Sequence, residues 1–447
     1  MRMLFRIVGV LLVLGLIAGA FIAWSMSRAS SLPAGPVTSV AASRMLLNPI
    51  ADGPNAEQLR HGQYLVRMGD CLSCHLRADG EPFAGGLGLN TPFGVIYSSN
   101  ISSDPNHGIG SWTPDQFYRA MHDGIGGHGQ HLYPAFPYPW FRNLSREEDD
   151  ALLAYLKTTP PVAYDPPDNQ LIFPMNIRAS VSVWNLLSLG QKPATQPPQG
   201  APPEWSHGEA LVRGPGHCSA CHTPRNLLGA DKKSNDFQGG LLDNFVAPDL
   251  TGNMRTGLGR WSVDDITEYL RTGRNARAAA GGPMGDVVTY STSLITDEDR
   301  HAIAVYLKSL PASADVDVAV PDAASMKRGS AIFSDACTAC HLENAVGQPT
   351  IFPPLGNNAV AQQNDPTSVL HIILAGVRVG PSPTRPSPLT MPSFAWKLTD
   401  QQIADVSTYV RNSWGNRAAA VSASQVAKLR GKLQLDKERL TDNSGDR

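Results

Sequence analysis

The sequence predicts a mainly α-helical chain: three tandem units behind an N-terminal transmembrane helix. Three observations carry this. The pattern C-x-x-C-H occurs three times, as Cys71-Leu72-Ser73-Cys74-His75, Cys218-Ser219-Ala220-Cys221-His222 and Cys337-Thr338-Ala339-Cys340-His341. A common order of helix caps recurs around each copy, as internal repeats require. Residues 7–24 (IVGVLLVLGLIAGAFIAW) carry no charge and are just long enough to span a bilayer's hydrocarbon layer.

Taken in order, residues 1–26 read as the membrane segment. Arg2 and Arg6 precede the apolar run, so the positive-inside rule keeps the N-terminus cytoplasmic and exports the rest. The alternative is a cleaved signal peptide, whose apolar region is usually shorter and ends at a small-residue site. Here the run continues past Ala18-Gly19-Ala20 to Trp24, which favours an uncleaved anchor. The expected location is the bacterial cell membrane, with the bulk facing the periplasm. Residues 27–56, rich in Ser, Ala, Pro and Gly, read as a linker. Units follow at 57–191, 203–311 and 322–416, separated by the proline-rich spacers 192–203 and 311–321, with a charged tail at 417–447.

Within each unit a helix precedes the cysteines, marked by Gly62, Gly208 and Gly329. A middle helix is expected to open at Thr113, Ser262 and Asp365 and to close at Gly124, Gly273 and Gly376. A closing helix is expected to begin at Ser145, Thr296 and Thr399. Glu148 and Gln402 complete capping boxes, and Asp299 is a near match. Tyr155, Tyr306 and Tyr409 follow each cap at the same spacing and read as core. Asn100-Ile101-Ser102 matches Asp249-Leu250-Thr251, and these loops are either surface or cover for a bound group.

C-x-x-C-H is the attachment signature of c-type haem. Thiols at Cys71 and Cys74, Cys218 and Cys221, and Cys337 and Cys340 would add across the two vinyl groups. His75, His222 and His341 would then offer a nitrogen to iron. This uses all 6 cysteines and predicts three covalently bound haem c groups. Zinc needs four converging ligands, and here each pair stands far from the next. A redox dithiol gives no reason for the repeated His. The net charge of -2 leaves no basic excess for nucleic acid. With 36 Pro and 41 Gly much of the chain is expected to be loop, and haem adds apolar surface to thin cores.

The sixth ligand decides between electron transfer and chemistry at iron. Met284 and Met391 lie on the loop between middle and closing helices in the second and third units, where a distal methionine is expected. The first unit has Phe136 there. Its nearby candidates are His131, with His128 as the alternative, then His122 and Met121. A water-bound or open iron is the remaining option. His/His ligation would make the first haem the most reducing.

From Gln58 to Asn416 the chain resembles the membrane-bound triheme cytochrome c subunits of bacterial periplasmic dehydrogenases, the alcohol, gluconate and aldehyde dehydrogenase group. The resemblance rests on the C-x-x-C-H copies, His131-Leu132-Tyr133-Pro134-Ala135-Phe136-Pro137-Tyr138, Phe173-Pro174-Met175-Asn176-Ile177-Arg178 with Trp184-Asn185-Leu186-Leu187, and Arg411-Asn412-Ser413-Trp414-Gly415-Asn416. It implies tandem cytochrome c domains without substrate chemistry of their own. Electrons would come from a separate catalytic subunit and pass to membrane quinone or a downstream cytochrome or oxidase. Alcohol-oxidising members usually have Met at the Phe136 position. The variant here is similar to cytochromes accompanying molybdenum-dependent aldehyde or heterocycle dehydrogenases, while a quinoprotein or flavoprotein partner stays open.

Two competing functions remain: a haem enzyme of peroxidase or reductase type using an open first iron, and a free-standing relay. The apolar 170–191 segment either covers the first core or faces a partner or membrane. The tail, with Val426, Leu429 and Leu433 at helical spacing, reads as an amphipathic helix on a membrane or partner, or a solvated one.

Overall fold

The computed structural model describes residues 40–189, 197–242, 244–348 and 350–435. The expected anchor at 1–26, part of the first spacer and the end of the tail, including Leu440, lie outside them. Among the described residues no helix is long and apolar enough to cross a membrane.

Each unit is built on a crossing of two helices. The opening helices are Ala56–Met68, Glu204–Arg213 and Ala323–Ala336; the closing helices are Arg146–Leu156, Asp297–Lys308 and Asp400–Val410. Within every unit the two pack together. The repeated glycine explains how closely. A Cβ added at Gly62 would lie 1.9 Å from the Ala151 carbonyl oxygen, at Gly208 2.0 Å from Ala302, and at Gly329 2.2 Å from Asp405. Any side chain would push the backbones apart. Tyr155, Tyr306 and Tyr409 pack beside these glycines, and the first two are fully buried. They are core, as expected.

The caps set the helix ends. Ser145 with Glu148 and Thr399 with Gln402 form complete capping boxes; Thr296 accepts from the Asp299 amide without the reciprocal bond. The middle helices Pro114–Asp123 and Val263–Thr272 also open with capping boxes, at Thr113 with Gln116 and Ser262 with Asp265. They close on left-handed Gly124 and Gly273. The third differs from expectation by one residue. It runs Thr367–Ala375 with Pro366 at the cap, because proline favours the start of a helix. Asp365 instead accepts the Thr367 amide at 2.8 Å. Gly376 ends it as expected.

Short antiparallel pairs complete the units: Gly88–Thr91 with Gly94–Tyr97, Gly240–Leu242 with Phe245–Ala247, and Val377–Arg378 with Thr390–Met391. The first pair gains a third strand, Gln170–Leu171.

Two stretches pack on the cores more closely than the sequence suggested. In the expected linker, helix Val40–Met45 sends Ala42 and Leu46 into the first unit's core. In the tail, helix Ala423–Lys432 is capped by Ser422 and Gln425. Its Val426 and Leu429 are buried in the third unit's core, so this face is taken by the chain itself rather than by a membrane or partner. Arg430 fixes it, donating to the Leu398 and Ala395 carbonyls at 3.0 Å and to Asp400 at 2.7 Å.

The first two units interpenetrate. Tyr290 and Leu294 of the second enter the first core, and Met68 of the first enters the second. Helix Ser180–Ser188 buries only Val181 and leaves Val183, Leu186 and Leu187 exposed. Covering the core is therefore the smaller part of its role.

Candidate functional site

The cysteine motifs fold as single helical turns: Cys71–His75, Ser219–His222 after Cys218, and Thr338–His341 after Cys337. Residues three apart on a helical turn share a face, so each pair presents both sulfurs together. Burial pushes the Cys71, Cys74 and Cys218 thiols up to about 12, and Cys221 and Cys337 up to about 11. The direction is opposite to that of a redox dithiol, whose thiol is pushed down. Cys340 is exposed. Among the described residues no three His, Cys, Asp or Glu side chains converge as metal ligands would.

The histidine of each motif is held in one tautomer. Nδ1–H donates to a backbone carbonyl in every case: His75 to Ser99 at 2.6 Å, His222 to Pro248 at 2.7 Å, His341 to Pro353 at 3.2 Å. A carbonyl only accepts, so the proton sits on Nδ1 and the Nε2 lone pair is free for a metal. Burial lowers all three histidines, His75 to about 4, and keeps the rings neutral.

The carbonyls are fixed in turn. Asn100, directly after Ser99, accepts the Ser102 amide at 2.9 Å and donates to the Val162 and Tyr164 carbonyls at 2.8 and 3.0 Å. Asp249, directly after Pro248, accepts from the Thr251 amide at 2.6 Å and the Thr256 hydroxyl at 3.2 Å. Both side chains are buried, so these are not plain surface loops. The sequence match pointed to the loops but not to the carbonyl one residue earlier. Pro353 had no such signal.

Of the expected sixth ligands, Met284 sits at the start of helix Pro283–Val287, packed against the core that also receives Cys218. Met391 is half-buried in the strand Thr390–Met391. Phe136 packs against the first core alongside Cys71, its ring centroid 6.1 Å from that of Tyr138 and 5.7 Å from that of Phe141. Of the first unit's histidines, His122 donates to buried Asp149 at 2.8 Å and stacks on Tyr118 at 4.0 Å, so it is already engaged. His128 is exposed. His131 pairs with Ile125 in a β-bridge, and its carbonyl accepts from Arg178 at 2.9 Å. His131 Nδ1 is buried without a hydrogen-bond partner. Such an orphan is costly unless something else takes it, so it suits a bound group. Met121 is buried in the first core.

The first two cysteine-motif turns adjoin each other. The Trp140 indole donates to the Ser219 hydroxyl, inside the second motif, at 2.6 Å. His217 donates to the Gly69 carbonyl at 3.2 Å, and the Phe141 ring meets His217 edge-on at 5.5 Å. Asp70 lies beside the first turn, its carboxyl pushed up to about 8 by burial against a 2.6 Å bond from Ser73.

The profile of the family described as cytochrome c matches residues 59–160, 206–311 and 326–414. The chain is 40% identical over 418 residues to the alcohol dehydrogenase (quinone) cytochrome c subunit of Gluconacetobacter polyoxogenes, covering 88% of this chain and 89% of that one. It is 40% identical over 400 residues to the gluconate 2-dehydrogenase cytochrome c subunit of Pantoea cypripedii, covering 85% and 91%. With a nicotinate dehydrogenase subunit of Pseudomonas putida it shares 38% over 388 residues, covering 84% of this chain and 32% of that one.

Proposed function

This chain belongs to the cytochrome c family, and from that premise we propose that it is the electron-transfer subunit of a periplasmic dehydrogenase complex, carrying three haem c groups. The observation that carries this is the threefold recurrence of one device: two thiols on a turn followed by a histidine whose Nδ1 is tied to a carbonyl. Covalently attached haem supplies a one-electron iron couple. The chain's own residues hold, ligate and shield it. Cys71 and Cys74, Cys218 and Cys221, and Cys337 and Cys340 would form the thioethers, and His75, His222 and His341 would ligate iron. Met284 and Met391 would supply the further ligand in the second and third units. His131 would do so in the first, with His128 its alternative. Closed sites exclude substrate from iron, so substrate chemistry belongs to a partner.

That partner is a dehydrogenase catalytic subunit, as the names of the relatives suggest. A molybdenum-dependent partner fits Phe136 and the likeness to the nicotinate dehydrogenase subunit; quinoprotein and flavoprotein partners are the other classes. The acceptor is membrane quinone or a downstream cytochrome or oxidase. The apolar run at 7–24 anchors the chain in the bacterial membrane with its bulk in the periplasm.

Purification in mild detergent tests this directly. The denatured chain should retain the mass of three haems, and a flavin, quinoprotein or molybdenum subunit should co-elute. Pigment released by acidic acetone would refute covalent attachment. The second reading, a haem enzyme with an open first iron, is favoured only by Phe136; carbon monoxide binding to the reduced wild-type protein would support it.

A further inference from the structure

The methionine-bearing loops of the second and third units are stitched together. Gly281 pairs with Val379 in a β-bridge, and the Gly380 amide donates to the Ala280 carbonyl at 3.2 Å. Contact is so close that a Cβ on Gly380 would lie 2.1 Å from the carbonyl oxygen of Gly285, the residue after Met284. The ladder continues on the other side, since the Val379 amide donates to Leu389 at 2.8 Å and Val377 pairs with Met391. A short run of backbone pairings thus joins the stretch just before Met284 to the strand that holds Met391.

Thr289 adds a second tie. It lies in the π-helix Val288–Thr292, directly after the Met284 helix, and is buried. Its hydroxyl is 2.8 Å from the Gly285 carbonyl and 3.0 Å from the Pro381 carbonyl. A hydroxyl has one proton to donate, so it is shared between carbonyls of different units. π-turns inside helices recur at functional sites, and here the turn aims this hydroxyl across the junction.

We propose that these two loops form one locked element, in which Gly380 and Thr289 are positioning residues that set Met284 and Met391 together. The proposal rests on the reading that both methionines ligate iron. A thioether is a soft ligand, and outer-shell contacts govern how firmly such ligands are held. A disturbance of either loop must therefore reach the ligand of the other haem, and the coupling is reciprocal.

The test uses the full-length holoprotein and the methionine-to-iron charge-transfer band of its oxidised form. In a Met391→His background this band reports Met284 alone; in Met284→His it reports Met391 alone. Gly380→Ala, a change in the third unit, should raise the methionine-free fraction of the second haem about tenfold in the first background. Thr289→Val, a change in the second unit, should do the same to the third haem in the second background, and Thr289→Ser should restore it. Thr289→Val is nearly isosteric, so a folding failure of Gly380→Ala does not spoil the test. If Met391→His and Met284→His leave the band undiminished, the ligation reading fails and takes the proposal with it. If each does diminish it, but the cross-unit variants leave the remaining band unchanged, the proposal alone is overturned.

Discussion

Phe136 stands, in sequence, where the second and third units have Met284 and Met391, and on the proposed ligation two consequences can be measured. A ring cannot ligate iron, but methionine is flexible enough to fill most of its space. Phe136→Met is expected to raise the first haem's potential toward the other two, visible in a redox titration as three overlapping couples. Removing the orphaned ring nitrogen tests the other side. His131→Ala should open the first iron so that the reduced protein binds carbon monoxide, while His128→Ala should not. Residue chemistry was legible where spacing encodes it: the three cysteine motifs fold as alike helical turns, each with its histidine tied to a carbonyl. Ser99, Pro248 and Pro353 were not legible, because a backbone carbonyl leaves no mark on residue identity. Only Asn100 and Asp249, which hold two of them, hinted at the place.

At the scale of elements, the helix crossings were readable from glycines and caps, since both are local. Gly208→Ala forces a methyl to within 2.0 Å of the Ala302 carbonyl and should destabilise the second unit by about 2 kcal/mol, measured by thermal unfolding. The third unit's crossing has an electrostatic clasp as well. Burial pushes the Asp405 carboxyl up, but bonds from Arg328 at 2.7 Å, Ser325 at 2.8 Å and Gln401 at 3.1 Å outweigh it and hold it below the ordinary range. The folded value is below the unfolded one, near about 4. The clasp therefore stabilises above that pH, and the benefit is lost as pH falls through the depressed folded value. Asp405→Asn should cost about 1 kcal/mol at neutral pH, a figure discounted because Arg328 is half exposed. It should also flatten the acid sensitivity of this unit's unfolding. What the sequence hid at this scale was nonlocal. The π-helix has no periodicity of its own, and the tail helix shows an amphipathic face without naming what it covers.

Over the whole molecule, apolar surface is unevenly spread. Leu186 and Leu187 are 84% and 66% exposed on helix Ser180–Ser188, and Phe173 is 66% exposed just before it. The Trp184 indole donates to the Leu228 carbonyl at 2.8 Å, which brings Leu228 and the almost fully exposed Leu227 beside that helix. Clustered exposed leucines of this kind mark an interaction face. Replacing Leu186 and Leu187 with Asp is expected to abolish co-elution of the catalytic subunit while leaving haem content unchanged, checked by pulldown and absorbance. Retained co-elution would place the dehydrogenase on another face.

The adjoining first and second attachment turns also constrain biosynthesis. Trp140 on Ser219 and His217 on Gly69 tie the two turns together once the units have docked. On the proposed reading, attachment of haem to both turns would come before that docking. Because the two turns are bonded to each other, a chain lacking one haem would be expected to disturb both units at once.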